Sequence, residues 1–365
     1  MKFAINRDAF LGPLQLVSSV VERRQTIPVL SNLLVVAGED GLSLTGTDQE
    51  VELSARVTHV EVSEPGDVTV PARKLVDICR SLPADAEVTV EQSKDKIHLR
   101  CGRFKSQLAT LPVGDFPKVP AEESEQVSVT IGAEQLKQCL AKTSFAMAQQ
   151  DVRYFFNGLL IDLGEGGLTA VATNGQRLAV TTSDGPGSLA PAQFIVPRKA
   201  VGELSRMVSD GDIRLGFSTN HVSVESGSST LVSKLIDGTF PDYRRAIPEA
   251  ADKLVTCNRH ELREALSRTS ILSNEMYRNV RLQLGTGEIR ISANNPMQEE
   301  AEEVVSVEYE GPELEIGFNV SYLLDALSAL AGDVATLAFL DANTATVIRD
   351  PEDEASVFVV SPMML

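Results

Sequence analysis

The sequence predicts an α+β fold of three tandem domains, each made of two β-α-β-β-β units. The first observation behind this is self-similarity at a long period. Phe10, Leu136 and Leu262 stand at equivalent points of three helix-like segments, in two steps of 126 residues. Asp77, Glu203 and Asp325 mark a second helix in each copy, 126 and 122 residues apart. The second observation is where apolar strands end: Thr47-Asp48, Thr173-Asn174 and Asn294-Asn295 close equivalent ones. The third is the size of the period. Solenoid repeats run about 20 to 50 residues, so a repeat this long is a whole domain with its own core. The copies are expected at 1–124, 125–249 and 250–365, and three in tandem suggest a curved or ring-like body more readily than a pocket enzyme.

Copy one shows how the units are read. A strand at Lys2 to Asn6 precedes a helix at Asp8 to Val21 and strands near Leu33 to Ala37, Leu42 to Thr45 and Val51 to Val60. The second unit has a strand at Val68 to Val70 and a helix at Arg73 to Leu82. Strands follow near Glu87 to Glu91, Lys96 to Cys101 and Phe104 to Leu111. Pro and Gly supply the breaks at Pro65-Gly66, Leu82-Pro83, Gly114 to Pro117, Asp237-Gly238 and Phe240-Pro241. The links between copies, near Ala121 to Glu125 and Pro248 to Asp252, are short and acidic, so the domains are expected to pack with fixed geometry.

Composition narrows the function. The 365 residues are 43% hydrophobic and 23% charged, an ordinary soluble composition. No apolar run approaches the roughly 20 residues of a membrane span, and the N-terminus lacks a signal-peptide core, so a cytoplasmic protein with no membrane partner is expected. Cys79, Cys101, Cys139 and Cys257 are scattered, as reduced packed thiols are, with no disulfide framework and no metal-ligand spacing. No catalytic motif is present, and His59, His98, His221 and His260 are isolated from one another. A hairpin turn is the reading for Gly164 to Gly167, and an acidic surface turn rather than a cation site for Asp350, Glu352, Asp353 and Glu354. No cofactor, metal or catalytic residue is expected.

Charge gives the positive clue. A net charge of −18 opposes simple nucleic-acid binding, because phosphate affinity comes from Lys and Arg. The six helix windows nevertheless hold fourteen Lys or Arg against eight Asp or Glu, and the rest of the chain nineteen against forty-three. Alone, such helices would merely be solvated. If equivalent helices of repeated domains face one way, that face is positive and the outside negative.

Longer motifs then carry a resemblance. Arg24-Gln25-Thr26-Ile27-Pro28-Val29-Leu30, LSLTGTD at 42–48, VPARK at 70–74 and FAMAQQDVRY at 145–154 begin it. SKLIDGTFPDYRR at 233–245, ILSNE at 271–275, NNPMQEEAEE at 294–303 and EIGFNVSYLLDALSAL at 315–330 extend it over essentially the whole chain. The sequence resembles the bacterial β sliding clamps, the processivity subunits (DNA polymerase III subunit beta) of the replicative polymerase. The resemblance implies a protomer that dimerises head to tail into a closed ring, helices lining the hole and sheets outside, around double-stranded DNA. A ring holds DNA by topology, so its lining need not bind tightly or read sequence.

Carried over residue by residue, the resemblance implies duplex contacts from Arg24, Arg73, Gln150, Tyr154, Arg198 and Lys199. A partner-peptide pocket is implied at Thr173, Gly175, Gln176, Arg177, Leu178, Pro241, Arg245, Ala246, Tyr277, Asn319 and Tyr322. The same pocket takes in Val359, Val360, Ser361, Pro362, Met363, Met364 and Leu365. The C-terminus makes physical sense of it: VFVV alternates as a last strand, Pro362 stops it, and an adaptable Met-rich tail remains. A C-terminus folded into the core is the competing reading. The implied partners are the DNA polymerase III catalytic subunit, the clamp loader, other polymerases and repair proteins, each inserting a short peptide with a Gln and apolar anchors. Gln176, Ala246, Ser361 and Met364 depart from the family's usual His, larger aliphatic, Met and Arg, which touches partner affinity.

For the homodimer, Arg100, Arg103 and Lys105 lie around Phe104 and Leu108 at one end of the chain, with Lys74. At the other end, Glu299, Glu300, Glu302 and Glu303 accompany Ile271 and Leu272. Opposite charges favour head-to-tail contact, although each set alone reads as a solvated edge. The family's Phe at position 106 is Ser106 here, with Phe104 on the same strand face. Two rival readings remain, a scaffold that no longer loads on DNA and an enzyme with an unrecognised site. Pairing of the basic helix residues with acids would favour the scaffold.

Overall fold

The computed structural model describes residues 1–22, 26–117, 125–183 and 189–364. It divides into two compact units, one of residues 1–134 with 199–235 and one of 135–198 with the chain from 236 onward. Arg24, Leu365 and most of the first acidic link lie outside the described residues.

Six α-helices occur among the described residues: α1 (Arg7–Ser18), α2 (Ala72–Ser81), α3 (Ala133–Thr143), α4 (Arg198–Met207), α5 (Arg259–Thr269) and α6 (Val320–Ala329). Asparagine opens three of them. Asn6, Asn258 and Asn319 each turn a side-chain oxygen onto free N–H groups of the first turn, at Asp8 and Ala9, His260 and Glu261, and Ser321. Helix α1 stops three residues before the expected Val21. The Ser19 amide and hydroxyl both bond the Leu16 carbonyl, which tightens the last turn, and Val20 and Val21 are buried beyond it.

The first unit holds two antiparallel sheets. Five strands run in the order Glu61–Glu64, Lys2–Asn6, Glu87–Ser93, Lys96–Cys101, Phe104–Ala109. Eight run in the order Val127–Gly132, Asp212–Phe217, His221–Ser226, Ser229–Lys234, Val51–Val57, Gly41–Thr47, Asn32–Gly38, Gly66–Pro71. The expected strand Val51 to Val60 ends at Val57, because Val60 N–H turns back onto the Thr58 carbonyl, and the next strand, Glu61–Glu64, belongs to the other sheet. Phe3 and Phe10 meet edge to face at 5.9 Å inside this unit, each burial being worth roughly 1.5–3 kcal/mol.

In the second unit, eight strands run Ala192–Pro197, Gly158–Gly164, Gly167–Thr173, Arg177–Ser183, Ser356–Val360, Thr346–Arg349, Val334–Phe339, Lys253–Asn258. Four more run Glu300–Ser306, Glu288–Asn294, Asn279–Gly285, Leu314–Asn319. Gly164 and Gly167 close a tight hairpin, and Gly167 takes φ +97°. The acidic turn is used by the protein itself: buried Asp350 accepts from Gly332 and Glu352 amides, and Asp353 from Lys142 at 2.6 Å.

Both eight-stranded sheets cross the boundary between sequence copies. Strand Val51–Val57 of copy one pairs with Ser229–Lys234 of copy two, Leu53 opposite Leu231. Strand Arg177–Ser183 of copy two pairs with Ser356–Val360 of copy three, Leu178 opposite Val359. A shared sheet, rather than a linker, joins neighbouring copies in each unit and removes an exposed edge. All four cysteines are buried, and burial pushes the Cys79 and Cys257 thiols up to about 12 and Cys139 to about 11.

Candidate functional site

The turn that links strands Gly167–Thr173 and Arg177–Ser183 organises the second unit's surface. Asn174 accepts from the Gln176 and Arg177 amides at 2.9 and 3.0 Å, and Thr173 hydroxyl takes the Gly175 amide while donating to the Arg177 carbonyl at 2.6 Å. Gly175 has φ +88°, and a Cβ there would stand 2.9 Å from the Arg153 guanidinium. Arg153 is itself fixed, forked onto Asp151 at 3.0 and 2.8 Å and 4.7 Å over the Phe156 ring. These Arg153 bonds hold the Asp151 carboxyl down at about 2.

Arg177 and Tyr322 form the floor beside this turn. The Arg177 guanidinium lies 4.6 Å from the Tyr322 ring and 5.4 Å from Phe145, bonded to Asp325 and the Phe145 carbonyl. Tyr322 hydroxyl accepts from Asn174 at 3.2 Å and donates to Gln176 at 3.1 Å. Asn319 both caps α6 and reaches the Tyr277 carbonyl at 3.4 Å. Sheet register brings the C-terminus here: Val360 lies opposite Arg177, the Ser361 amide bonds the Gln176 carbonyl, and the Met363 amide the Gly317 carbonyl, both at 2.8 Å.

Two cavities flank Gln176. One of about 700 Å³ is lined by Gly175, Arg177 and Tyr322 together with Gln150 and Arg198, so residues expected to meet DNA and residues expected to meet peptide are neighbours. The other, of about 670 Å³, is lined by Tyr277, Pro362, Met363 and Met364 and by a set of asparagines. Thr173, Leu178, Val359 and Val360 line neither, and the last three are buried in the sheet. Pro241, Arg245 and Ala246 line neither; they are exposed, Arg245 and Ala246 on the turn at Tyr243–Ala246 and Pro241 just before it, and Phe240 and Tyr243 pack into one apolar cluster with Leu178 and Val359. Sequence reasoning missed Asn174, Asp151 and Arg153. The repeat had marked Asn174 as a strand end, and that was the available signal.

The basic candidates differ among themselves. Arg73 is exposed on the first turn of α2 and forms no ion pair with any described residue. Arg198 donates to the Met147 and Ala148 carbonyls at 3.0 and 3.4 Å. Lys199 is held between Glu22, at 2.7 Å, and Asp48. Burial works against its ammonium, but the Asp48 and Glu22 bonds outweigh it and raise its pKa. Of the three basic candidates among the described residues, Arg198 and Lys199 thus have partners within the chain and Arg73 has no ion pair. Gln150 is exposed at φ +58°, and exposed Tyr154 lies against Gly238.

At the chain's sheet edges, Phe104 is 40% exposed, with Arg100, Arg103 and Lys105 exposed around it and Leu108 half-buried. Lys74 is exposed on α2, Ile271 is exposed and Leu272 is half-buried. The acids opposite in sign are partly spoken for. Arg268 forks onto Glu303 at 2.9 and 2.6 Å and lowers its pKa, Arg290 holds Glu302 at 2.9 Å, and Asn295 donates to Glu299 at 2.6 Å.

Sequence profiles of the N-terminal, central and C-terminal domains of the DNA polymerase III beta subunit match residues 1–120, 130–242 and 244–364. The chain belongs to the β sliding clamp family. It is 50% identical to the β sliding clamp of Pseudomonas putida and 44% to that of Escherichia coli K12, over the full length of both chains in each case. The Pseudomonas aeruginosa clamp bound to griselimycin superposes with a TM-score of 0.96 at 49% identity, and Caulobacter crescentus pol III beta with 0.93 at 36%, all chains fully covered. Family membership makes this a non-catalytic processivity subunit of DNA replication. No helix among the described residues is long and apolar enough to cross a membrane.

Proposed function

We propose that two copies of this chain close head to tail into a ring of six domains, at 1–124, 125–249 and 250–365 in each, around double-stranded DNA in the cytoplasm. The ring tethers the DNA polymerase III catalytic subunit, the clamp loader, other polymerases and repair proteins through the pocket around Gln176, Tyr322 and Met363.

One observation carries the ring. Copies one and two, and copies two and three, are joined by the same edge-to-edge strand pairing. Applied once more, the rule leaves two edges without a strand partner among the described residues, Glu300–Ser306 and Phe104–Ala109, which would pair between two molecules. The internal registers, Ala55 with Ser229 and Thr181 with Ser356, translate to Glu303 opposite Phe104, Glu302 opposite Lys105 and Ala301 opposite Ser106. Ser106 Oγ, buried without a hydrogen-bond partner among the described residues, would lie in that seam. Lys74 takes the place that Tyr322 has in the internal junction, next to the turn at Asn295 to Glu299. Arg24, Arg73, Gln150, Tyr154, Arg198 and Lys199 would face the duplex, with Arg73 the freest cation.

Loading on nicked circular DNA tests the topology. The ring is retained on the circle and lost when the circle is linearised; equal retention on both DNAs overturns it.

A further inference from the structure

The cavity of about 670 Å³ reaches beyond the pocket just assigned. Five amide side chains line it, from Gln176, Asn274, Asn279, Asn294 and Asn295, and no charged side chain does. In a chain of net charge −18 that neutrality is a local exception. Asn295 is committed within the chain, its oxygen to the Met297 and Glu299 amides and its NH2 to Glu299, but the other four have capacity left among the described residues. Asn274 spends its oxygen on the Met276 and Tyr277 amides, which leaves its NH2 group. Gln176 receives Tyr322 on its oxygen, which leaves its own NH2. Asn279 and Asn294 make no side-chain hydrogen bond with any described residue. Met363 and 98%-exposed Met364 line it, and Met276 and Met297, at 80 and 83%, are chain neighbours of the lining residues Tyr277 and Pro296. Gln176, Pro362, Met363 and Met364 make this cavity continuous with the peptide pocket.

We propose that this amide-lined cavity holds an uncharged polar stretch of the partner protein, directly flanking the peptide seated in the pocket; this rests on the pocket reading above. Amide side chains carry both donors and acceptors, so they can bond the free main-chain N–H and C=O groups of an extended segment and the side chains of Gln, Asn or Ser. A charged extension would lose its hydration without meeting an opposite charge. A nucleic acid would find no cation for its phosphates. The methionines adapt to the differing apolar residues of different partners. The annex therefore selects among partners whose core peptides are alike.

The test uses the full-length chain and labelled synthetic peptides in fluorescence anisotropy. The core peptide has one Gln and apolar anchors; extended versions add four Ser, Gln or Asn residues at one end or the other, or four Glu or Lys. One uncharged extension is expected to tighten binding about tenfold, the equivalent of two net hydrogen bonds. The charged extensions gain nothing from the cavity. Asn279→Ala combined with Asn294→Ala, which removes groups unused within the chain, is expected to abolish the gain and leave core-peptide affinity unchanged. Equal affinity of core and extended peptides overturns the annex alone, as does a gain that survives the double variant. Failure of the core peptide itself to bind overturns the pocket reading, and the annex with it.

Discussion

The turn after strand Gly41–Thr47 and the turn after strand Gly167–Thr173 occupy the same place in successive copies, and the chain uses them differently. In the first unit, Asp48 and Glu22 clamp Lys199 of α4, closing the junction with ion pairs. In the second, the ion pair to α6 runs from Arg177 to Asp325, while Asn174 and Gln176 at the turn itself meet the hydroxyl of Tyr322, and a cavity opens on either side of Gln176. On the proposed reading, taking the charged clamp off the tip of the turn and putting neutral amides and an aromatic ring there is what makes a receptor of a joint. Nothing in the strands needs to change for this: Leu53 pairs with Leu231 as Leu178 does with Val359.

The largest test imports the joint's residue into the receptor. Gln49 holds φ +80° where its equivalent Gly175 holds +88°, so conformation alone does not require the glycine. Space does, because a Cβ would press on the Arg153 guanidinium, which Asp151 and Phe156 hold in place. Gly175→Gln is expected to displace Arg153 and weaken core-peptide binding at least tenfold, about 1–3 kcal/mol with the strain at positive φ included. Unchanged affinity by anisotropy would mean that Arg153 swings clear and that the glycine has no such role.

Next comes the clamp. Lys199→Ala leaves Asp48, only 7% exposed at its side chain, with a nearly buried charge and no cation. Unfolding in urea should come earlier by about 1–3 kcal/mol, with core-peptide affinity unaltered. An unchanged midpoint would show that the ion pairs are ornamental and that Lys199 is available to DNA.

These two junctions also explain what the sequence could and could not reveal. Three domains, the helix positions, the buried thiols and the turn at Thr173-Asn174 follow from periodicity and local composition, which a linear reading captures. The clamp on Lys199 does not. Asp48 and Glu22 lie 151 and 177 residues away, so a count of charge within helix windows scores Lys199 as a free cation. The partners of Glu302 and Glu303 are hidden in the same way, Arg290 being on another strand and Arg268 on a helix. The pairing of Val51–Val57 with Ser229–Lys234 is equally non-local, and it is what reveals the unmatched edges. The asparagines of the second cavity come from separate elements and carry no motif.

A third, smaller effect probes whether a junction between molecules repeats the internal rule. Lys105→Glu and Glu302→Lys should each weaken the dimer a few-fold, and together should recover most of the loss, because an exposed pair is worth only about 0.2–1 kcal/mol and Arg290 already competes for Glu302. Sedimentation across a dilution series measures this. Additive losses in the double variant would break the proposed register without disproving a dimer.

The finest distinction between the junctions lies in pH. Arg153 holds Asp151 at about 2, below its ordinary 3.8, so the bond's contribution is complete above about pH 4 and is lost as pH falls through 2. Lys199 is raised above its ordinary 10.5, so its contribution is complete below that value and is lost only as pH rises through the folded pKa. The receptor should therefore loosen in acid and the joint in alkali. Carbonyl-detected NMR of the Asp151 carboxyl should show a midpoint near 2, with no shift between pH 7 and 4.5. A midpoint near 4 would mean that Arg153 is not locked, and the packing argument for Gly175 would fail with it.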